Sequence, residues 1–121
     1  MKTIEDMQFL ILDLEGNIIF SDDVIFEVEK LQSRFAFDWS PFLESIFPAL
    51  LQKEDQQMVT FKKVKTIHDF LNGSYDYSFY QTEKKDQIIW VIADCSKYYS
   101  KLTIKQQYHH QKEIERQLSI F

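Results

Sequence analysis

The sequence predicts an α+β fold: a β-hairpin, a block of short helices, a second group of strands, and a long C-terminal helix. Three observations predict it. Short β-rich apolar runs flank Gly-containing turns near both ends of the core. A Ser-Pro helix start lies between them, and the segment from Lys97 to Phe121 holds neither Gly nor Pro.

Met7 to Leu14 is strongly apolar and is followed by Glu15-Gly16-Asn17, after which Ile18-Ile19-Phe20 is apolar again. Gly and Asn tolerate the positive φ of tight turns, so this pair of runs reads as a hairpin. Ser21-Asp22-Asp23 offers side-chain oxygens suited to a helix N-cap, although Val24, Phe26, Val28 and Leu31 follow no single period. Ser40-Pro41 is a sharper start, with Ser as cap and Pro at the first helical position. Phe42, Leu43, Ile46 and Phe47 then recur at helical spacing. Pro48 is expected to open a fresh turn before Ala49, Leu50 and Leu51, which makes the block from Ser21 to Gln57 several short helices.

Met58, Val59, Phe61, Val64, Ile67 and Phe70 form a long β-rich stretch whose imperfect alternation predicts a bend or bulge. Asn72-Gly73 predicts a tight hairpin. Tyr75, Tyr77 and Phe79 alternate with polar residues as a half-buried strand does. Glu83-Lys84-Lys85-Asp86 reads as a charged turn, and Ile88 to Ala93, apolar on both faces, as a central strand. Residues 1–96 therefore read as one core and 97–121 as a helix with coiled-coil potential. Its heptad seam would carry Ile104, Gln111 and Leu118 at one position and Lys101, Gln107, Ile114 and Phe121 at the partner position. Polar residues in such a seam weaken it but can set register.

The 121 residues fit a single domain. Hydrophobic residues make up 45% and aromatics 16% of the chain, enough for a packed core rather than general disorder. Nineteen acidic against fourteen basic residues give a formal charge of −5, contrary to the basic footprint of a nucleic-acid binder. Lys62, Lys63 and Lys65 are the densest basic cluster, and Asp69, Asp76 and Glu83 follow closely; the cluster reads as a solvated strand face. Cys95 is the single cysteine, so an intrachain disulfide and a Cys-rich metal site are excluded. Met1 to Asp6 is acidic and lacks the apolar core of a signal peptide, and no window approaches the ~20 apolar residues of a spanning helix. A cytoplasmic location is expected, either alone or as part of a longer protein.

The run Ile11-Leu12-Asp13-Leu14-Glu15-Gly16-Asn17-Ile18-Ile19-Phe20-Ser21 resembles the opening hairpin of PAS domains. Asp94-Cys95-Ser96 is similar to the Asp-x-Thr/Ser element that this family often carries between its last strand and its signalling helix. The tail Gln111-Lys112-Glu113-Ile114-Glu115-Arg116-Gln117-Leu118 resembles the connectors that lead from such domains to output modules. The resemblance covers about Phe9 to the end. It implies a five-stranded antiparallel sheet with short helices on one face, and a role in sensing, dimerisation or both. The partners it implies are a second copy and an output domain. The Asn-Cys-Arg-Phe-Leu type sequence of flavin light sensors is missing, and Cys95 stands in the wrong element for a photoactive thiol. Flavin photochemistry is therefore disfavoured, and the sequence requires no cofactor.

Among chemistry-bearing residues, His68 lies near a strand and His109-His110 on the final helix. Adjacent helical residues diverge by about 100°, so the pair cannot share one ion, and haem or metal binding is disfavoured. Asp13, Glu15, Asp22 and Asp23 read as turn and cap carboxylates, and no Gly-framed nucleophile or phosphate loop exists. No catalytic residues are assigned. Trp39, Phe42, Phe47, Phe61, Tyr77, Phe79 and Trp90 could line a cleft for a small apolar ligand or fill the core. Asp94 would hold the junction to the last helix, Ser96 would cap it, and Ile104, Gln111, Ile114 and Leu118 would form its dimer face. Two alternatives stand beside this reading. One is a small enzyme with an apolar cleft, using Asp13 or Asp94 on a hydrophobic substrate; the other is a purely structural dimerisation domain.

Overall fold

The computed structural model describes residues 4–31, 33–52, 58–64 and 73–118. Its elements are β1 (Met7–Asp13), β2 (Ile18–Ser21), α1 (Pro41–Gln52), β3 (Val59–Val64), β4 (Tyr75–Gln81), β5 (Gln87–Asp94) and α2 (Ser96–Leu118). The strands form one antiparallel sheet in the order β2-β1-β5-β4-β3. The last strand thus lies in the middle, beside the first, with Leu10 opposite Trp90 and Trp90 opposite Phe79.

Alternation decides the faces. Leu10 and Leu12 of β1, Tyr77 and Phe79 of β4, and Ile88, Trp90 and Ile92 of β5 are buried on one side. Leu43, Phe47 and Leu50 of α1 close over them, spaced to share one helical face. The opposite face holds Phe9, Ile11, Tyr80, Ile89 and Val91, all half-buried. β5 is the central strand, as expected, buried on one face and largely half-buried on the other. Among the described residues α2 covers only the far end of that face, where Ala93, Cys95 and Tyr99 form a small second core.

The hairpin at Gly16 forms as expected. Gly16 has φ +95°, and a Cβ there would lie 2.8 Å from Phe37 Cζ. The Asp13 carboxylate accepts hydrogen bonds from the backbone N–H groups of Glu15 and Asn17 and from Asn17 Nδ2, at 2.9–3.0 Å. Gly16→Ala is expected to cost about 2 kcal/mol, since it adds left-handed strain and a clash with the Phe37 ring. A lowered midpoint in urea unfolding at unchanged slope would show it.

The block after β2 departs from the expectation of several short helices. Among the described residues it contains one α-helix and two 3-10 turns, at Val28–Lys30 and Ala36–Asp38. Ser21 and Asp23 start no α-helix. Asp23 adopts φ +55° and its carboxylate accepts from Val28 N, while Ser21 Oγ accepts from Asp23 N. Ser40 does cap α1, accepting from Leu43 N at 3.3 Å, with Pro41 as the first helical residue. Pro48 does not open a new turn; α1 runs through it. The lost bond to the Glu44 carbonyl falls on the exposed side, while buried Phe47 and Leu50 hold the helix on either side of the proline.

The bulge expected in β3 is present. Phe61 pairs with Tyr77 and Val64 with Tyr75, one extra residue on β3, with Lys63 at φ +56°. Ile67, Phe70 and Asn72 lie outside the described residues. The turn expected at Asn72-Gly73 falls there as well. Gly73 itself is described: a Cβ on it would collide with Ser96 Oγ at the start of α2. The charged turn at 83–86 is as expected, closed by Lys85 N donating to Thr82 O at 2.8 Å.

Candidate functional site: an aromatic core and the β5–α2 junction

The seven aromatic residues picked out in the sequence all enter one cluster. Phe47, Tyr77, Phe79 and Trp90 are buried, and Trp39, Phe42 and Phe61 are half-buried at its margin. Trp90 is stacked with Phe79 (5.9 Å between centroids, 19°) and with Trp39 (6.0 Å, 23°), and meets Tyr77 edge-on at 5.1 Å. Phe42 meets both Phe61 and Tyr77 edge-on, at 5.2 and 5.7 Å. Phe37 was not anticipated; it packs edge-on against Phe47 at 4.9 Å and lies under the Gly16 turn. Edge-on and offset contacts of this kind suit the ring quadrupoles.

Burial pushes the Tyr77 hydroxyl far above the usual phenol range. Burial, aided by the carboxylates of Asp94 and Glu5, raises Tyr75 as well. Both rings therefore stay neutral at ordinary pH. The Trp90 indole N–H is buried with no hydrogen-bond acceptor among the described residues. One depression lies along α2 and two lie against residues 18–34, and none of these is lined by these seven aromatics.

The junction from β5 to α2 is bound on several sides. Asp94 Oδ1 accepts from Ser96 N (3.0 Å) and from Ser96 Oγ (2.6 Å), and Ser96 Oγ in turn accepts from Ser74 N at 3.0 Å. Ser96 is thus the first residue of α2 and ties it to the segment before β4; it does not cap the helix with its own side chain, as expected from sequence. Capping comes from Asp94 on Ser96 N and from Glu5 Oε1 on Lys97 N at 3.1 Å. Backbone bonds Glu5 N to Asp94 O and Asp94 N to Asp6 O add the N-terminal strand to the same node. One turn further, the Tyr99 hydroxyl donates to Asp76 Oδ1 at 2.7 Å. Sequence reasoning missed Glu5, Ser74, Asp76 and Tyr99, whose roles depend on contacts between distant segments. The tyrosine pair at the start of an otherwise polar helix was the available clue.

Beyond Tyr99 the helix is exposed. Ile104, Tyr108 and Ile114 are 64%, 57% and 44% accessible, and Gln107 and Gln111 are exposed too. Lys101, six residues before Gln107, falls off the seam first assigned to it. Leu118 ends α2, and its side chain lies outside the described residues.

The carboxylates proposed for an alternative chemistry behave as structural groups. Burial alone would raise Asp13, but hydrogen bonds from Asn17, Glu15 and Gly16 outweigh it and hold the carboxyl below the usual range. Asp94 is occupied by Ser96. Among the described residues no three His, Cys, Asp or Glu side chains gather as a metal site, and no helix is long and apolar enough to cross a membrane. His68 lies outside the described residues. Comparison with known proteins matches the chain to no family model, no curated protein and no solved structure.

Proposed function

We propose that the chain is a non-catalytic sensory or dimerisation module of PAS type, which relays a change in core packing to a partner through α2. The observation that carries this reading is the node at Asp94–Ser96. It joins the central strand, the N-terminal strand, the segment before β4 and the start of an exposed helix. A shift of β5 would be felt by α2 through bonds of 2.6–3.1 Å. Trp90 lies on that strand, four residues before Asp94. The five antiparallel strands, with helical elements on one face and a helix leaving the last strand, support the PAS-type reading.

The helix itself favours association. A segment of 23 residues, about 35 Å long, is stabilised in water chiefly by packing of an apolar face. Past Tyr99 the apolar residues Leu102, Ile104, Tyr108 and Ile114 face solvent. A second copy and an output domain are the partners this implies, in a cytoplasmic setting. A small apolar ligand among the core aromatics would act only by preferring one packing over another. The mutual ring contacts of those aromatics also favour the simpler form of the reading, a dimerisation domain whose core is filled.

The test is solution mass of the chain with and without residues 102–121, together with Asp94→Ala. The expected result is a dimer that becomes a monomer on truncation. In Asp94→Ala, amide exchange in the first turn of α2 should speed up by roughly tenfold as the cap bond to Ser96 N and the bond to Ser96 Oγ are lost. Unchanged helix protection and unchanged association in Asp94→Ala would end the relay reading.

A further inference from the structure

We propose that α2 pairs with α2 of a second copy in antiparallel orientation, in a register centred on residue 109. The inference rests on the dimerisation reading above and adds orientation and contacts to it. Charge along the helix is its starting point. Lys97, Lys101, Lys105 and Lys112 precede the first acidic residues of α2, Glu113 and Glu115. Parallel pairing would set the basic stretches of both copies side by side, with no carboxylate in α2 before Glu113 to offset them. Antiparallel pairing instead brings each basic stretch beside the partner's residues 112–116, where Glu113 and Glu115 balance Lys112 and Arg116.

The seam fits the same orientation. With a period of 3.5, Ile104, Gln107, Gln111 and Ile114 face the partner. Centring the pair on residue 109 sets Ile104 against the partner's Ile114 and Gln107 against the partner's Gln111. Apolar meets apolar in the outer layers. In the inner layers, a glutamine amide can donate to and accept from another, so the polar pairs are satisfied. Beside the seam, Lys101 falls next to the partner's Glu115, twice by symmetry, and Tyr108 falls next to the partner's Tyr108. The apolar groove among Lys101, Ile104, Lys105 and Tyr108 lies on this flank.

Length agrees as well. In this register residue 118 reaches Ser100, the first exposed position after buried Tyr99. The described part of α2 can therefore pair along its exposed stretch without involving Tyr99, which packs on its own core.

The experiment uses the full chain with Ser100→Cys carrying a spin label; native Cys95 is buried and stays unlabelled. Antiparallel pairing places the two residue-100 backbones about 27 Å apart along the helix axis (18 residues of rise). Parallel pairing places them about 10 Å apart. Association is then measured by sedimentation for Lys101→Glu, Glu115→Lys and the double variant. Each single reversal should weaken the dimer roughly tenfold, and the double variant should return it to within about twofold. A dimer with short label distances overturns the orientation while leaving dimerisation standing. So does a dimer that survives removal of residues 102–121, or a double variant as weak as the singles. A monomer at all concentrations removes both readings.

Discussion

Trp90→Ala is expected to destabilise the domain by about 3–5 kcal/mol, the range for losing a large aromatic from a packed core. Trp90 is fully buried at the centre of the central strand, stacked with Phe79 and Trp39 and touched edge-on by Tyr77. Strands on both sides depend on its position, through Leu10 of β1 and Phe79 of β4. A rigid sheet cannot close over the space an indole leaves, so the cavity contribution adds to the lost transfer energy. Trp90→Phe separates volume from hydrogen bonding. The indole N–H has no acceptor among the described residues, so a phenyl ring gives up volume and no bond to them. Its cost should be near 1–2 kcal/mol. Urea unfolding of both variants checks the ordering. Added indole should raise the melting temperature of Trp90→Ala and leave that of the unaltered chain in place, since an apolar cavity binds what fits it. Equal destabilisation by Ala and Phe would mean that the N–H is bonded and that the core is more polar than described.

Much of this architecture was legible because local chemistry and global fold agree. Gly16-Asn17 forms the first turn, Ser40-Pro41 starts α1, and the alternation of Tyr75, Tyr77 and Phe79 marks the buried face of β4. The seven aromatics were legible as a group because size and ring character drive them to one side of the sheet. What misled was chemistry used for a purpose other than its common one. Asp22-Asp23 has the composition of a helix cap; Asp23 instead bonds Val28 N in an irregular segment. Pro48 has the composition of a break, but burial of Phe47 and Leu50 outweighs one missing bond. Ile89 and Val91 make the second face of β5 apolar, and hydropathy alone does not reveal whether a second layer lies over them.

Gln8 shows the limit most clearly, and Gln8→Leu carries the other large expected effect. In the sequence it is a single polar residue within an apolar run; in the structure it is completely buried. Its Oε1 accepts from the backbone N–H groups of Ile25 and Phe26, both at 2.8 Å. Its Nε2 donates to Ser21 Oγ at 2.8 Å and to Phe26 O at 3.0 Å. One side-chain amide thus does for residues 25 and 26 what a neighbouring strand would do, and holds buried Phe26 edge-on to Trp39. Leucine matches the shape and supplies none of the four bonds. Each buried backbone group left unpaired costs about 1–3 kcal/mol, so the variant should lose about 3–5 kcal/mol after some relaxation toward water. Gln8→Glu refines the argument. A carboxylate keeps both accepted bonds but loses both donors and puts a charge in a closed site, where burial raises its pKa. The neutral acid, able to donate once, is then favoured in the folded state. Stability of this variant should be highest below the unfolded glutamate pKa near 4.3 and fall as pH rises through the raised folded value. Amide exchange at Ile25 and Phe26 locates the effect. Faster exchange at those two amides, ahead of global unfolding, is expected in Gln8→Leu, whereas protection equal to that of the unaltered chain would show that another group holds the segment.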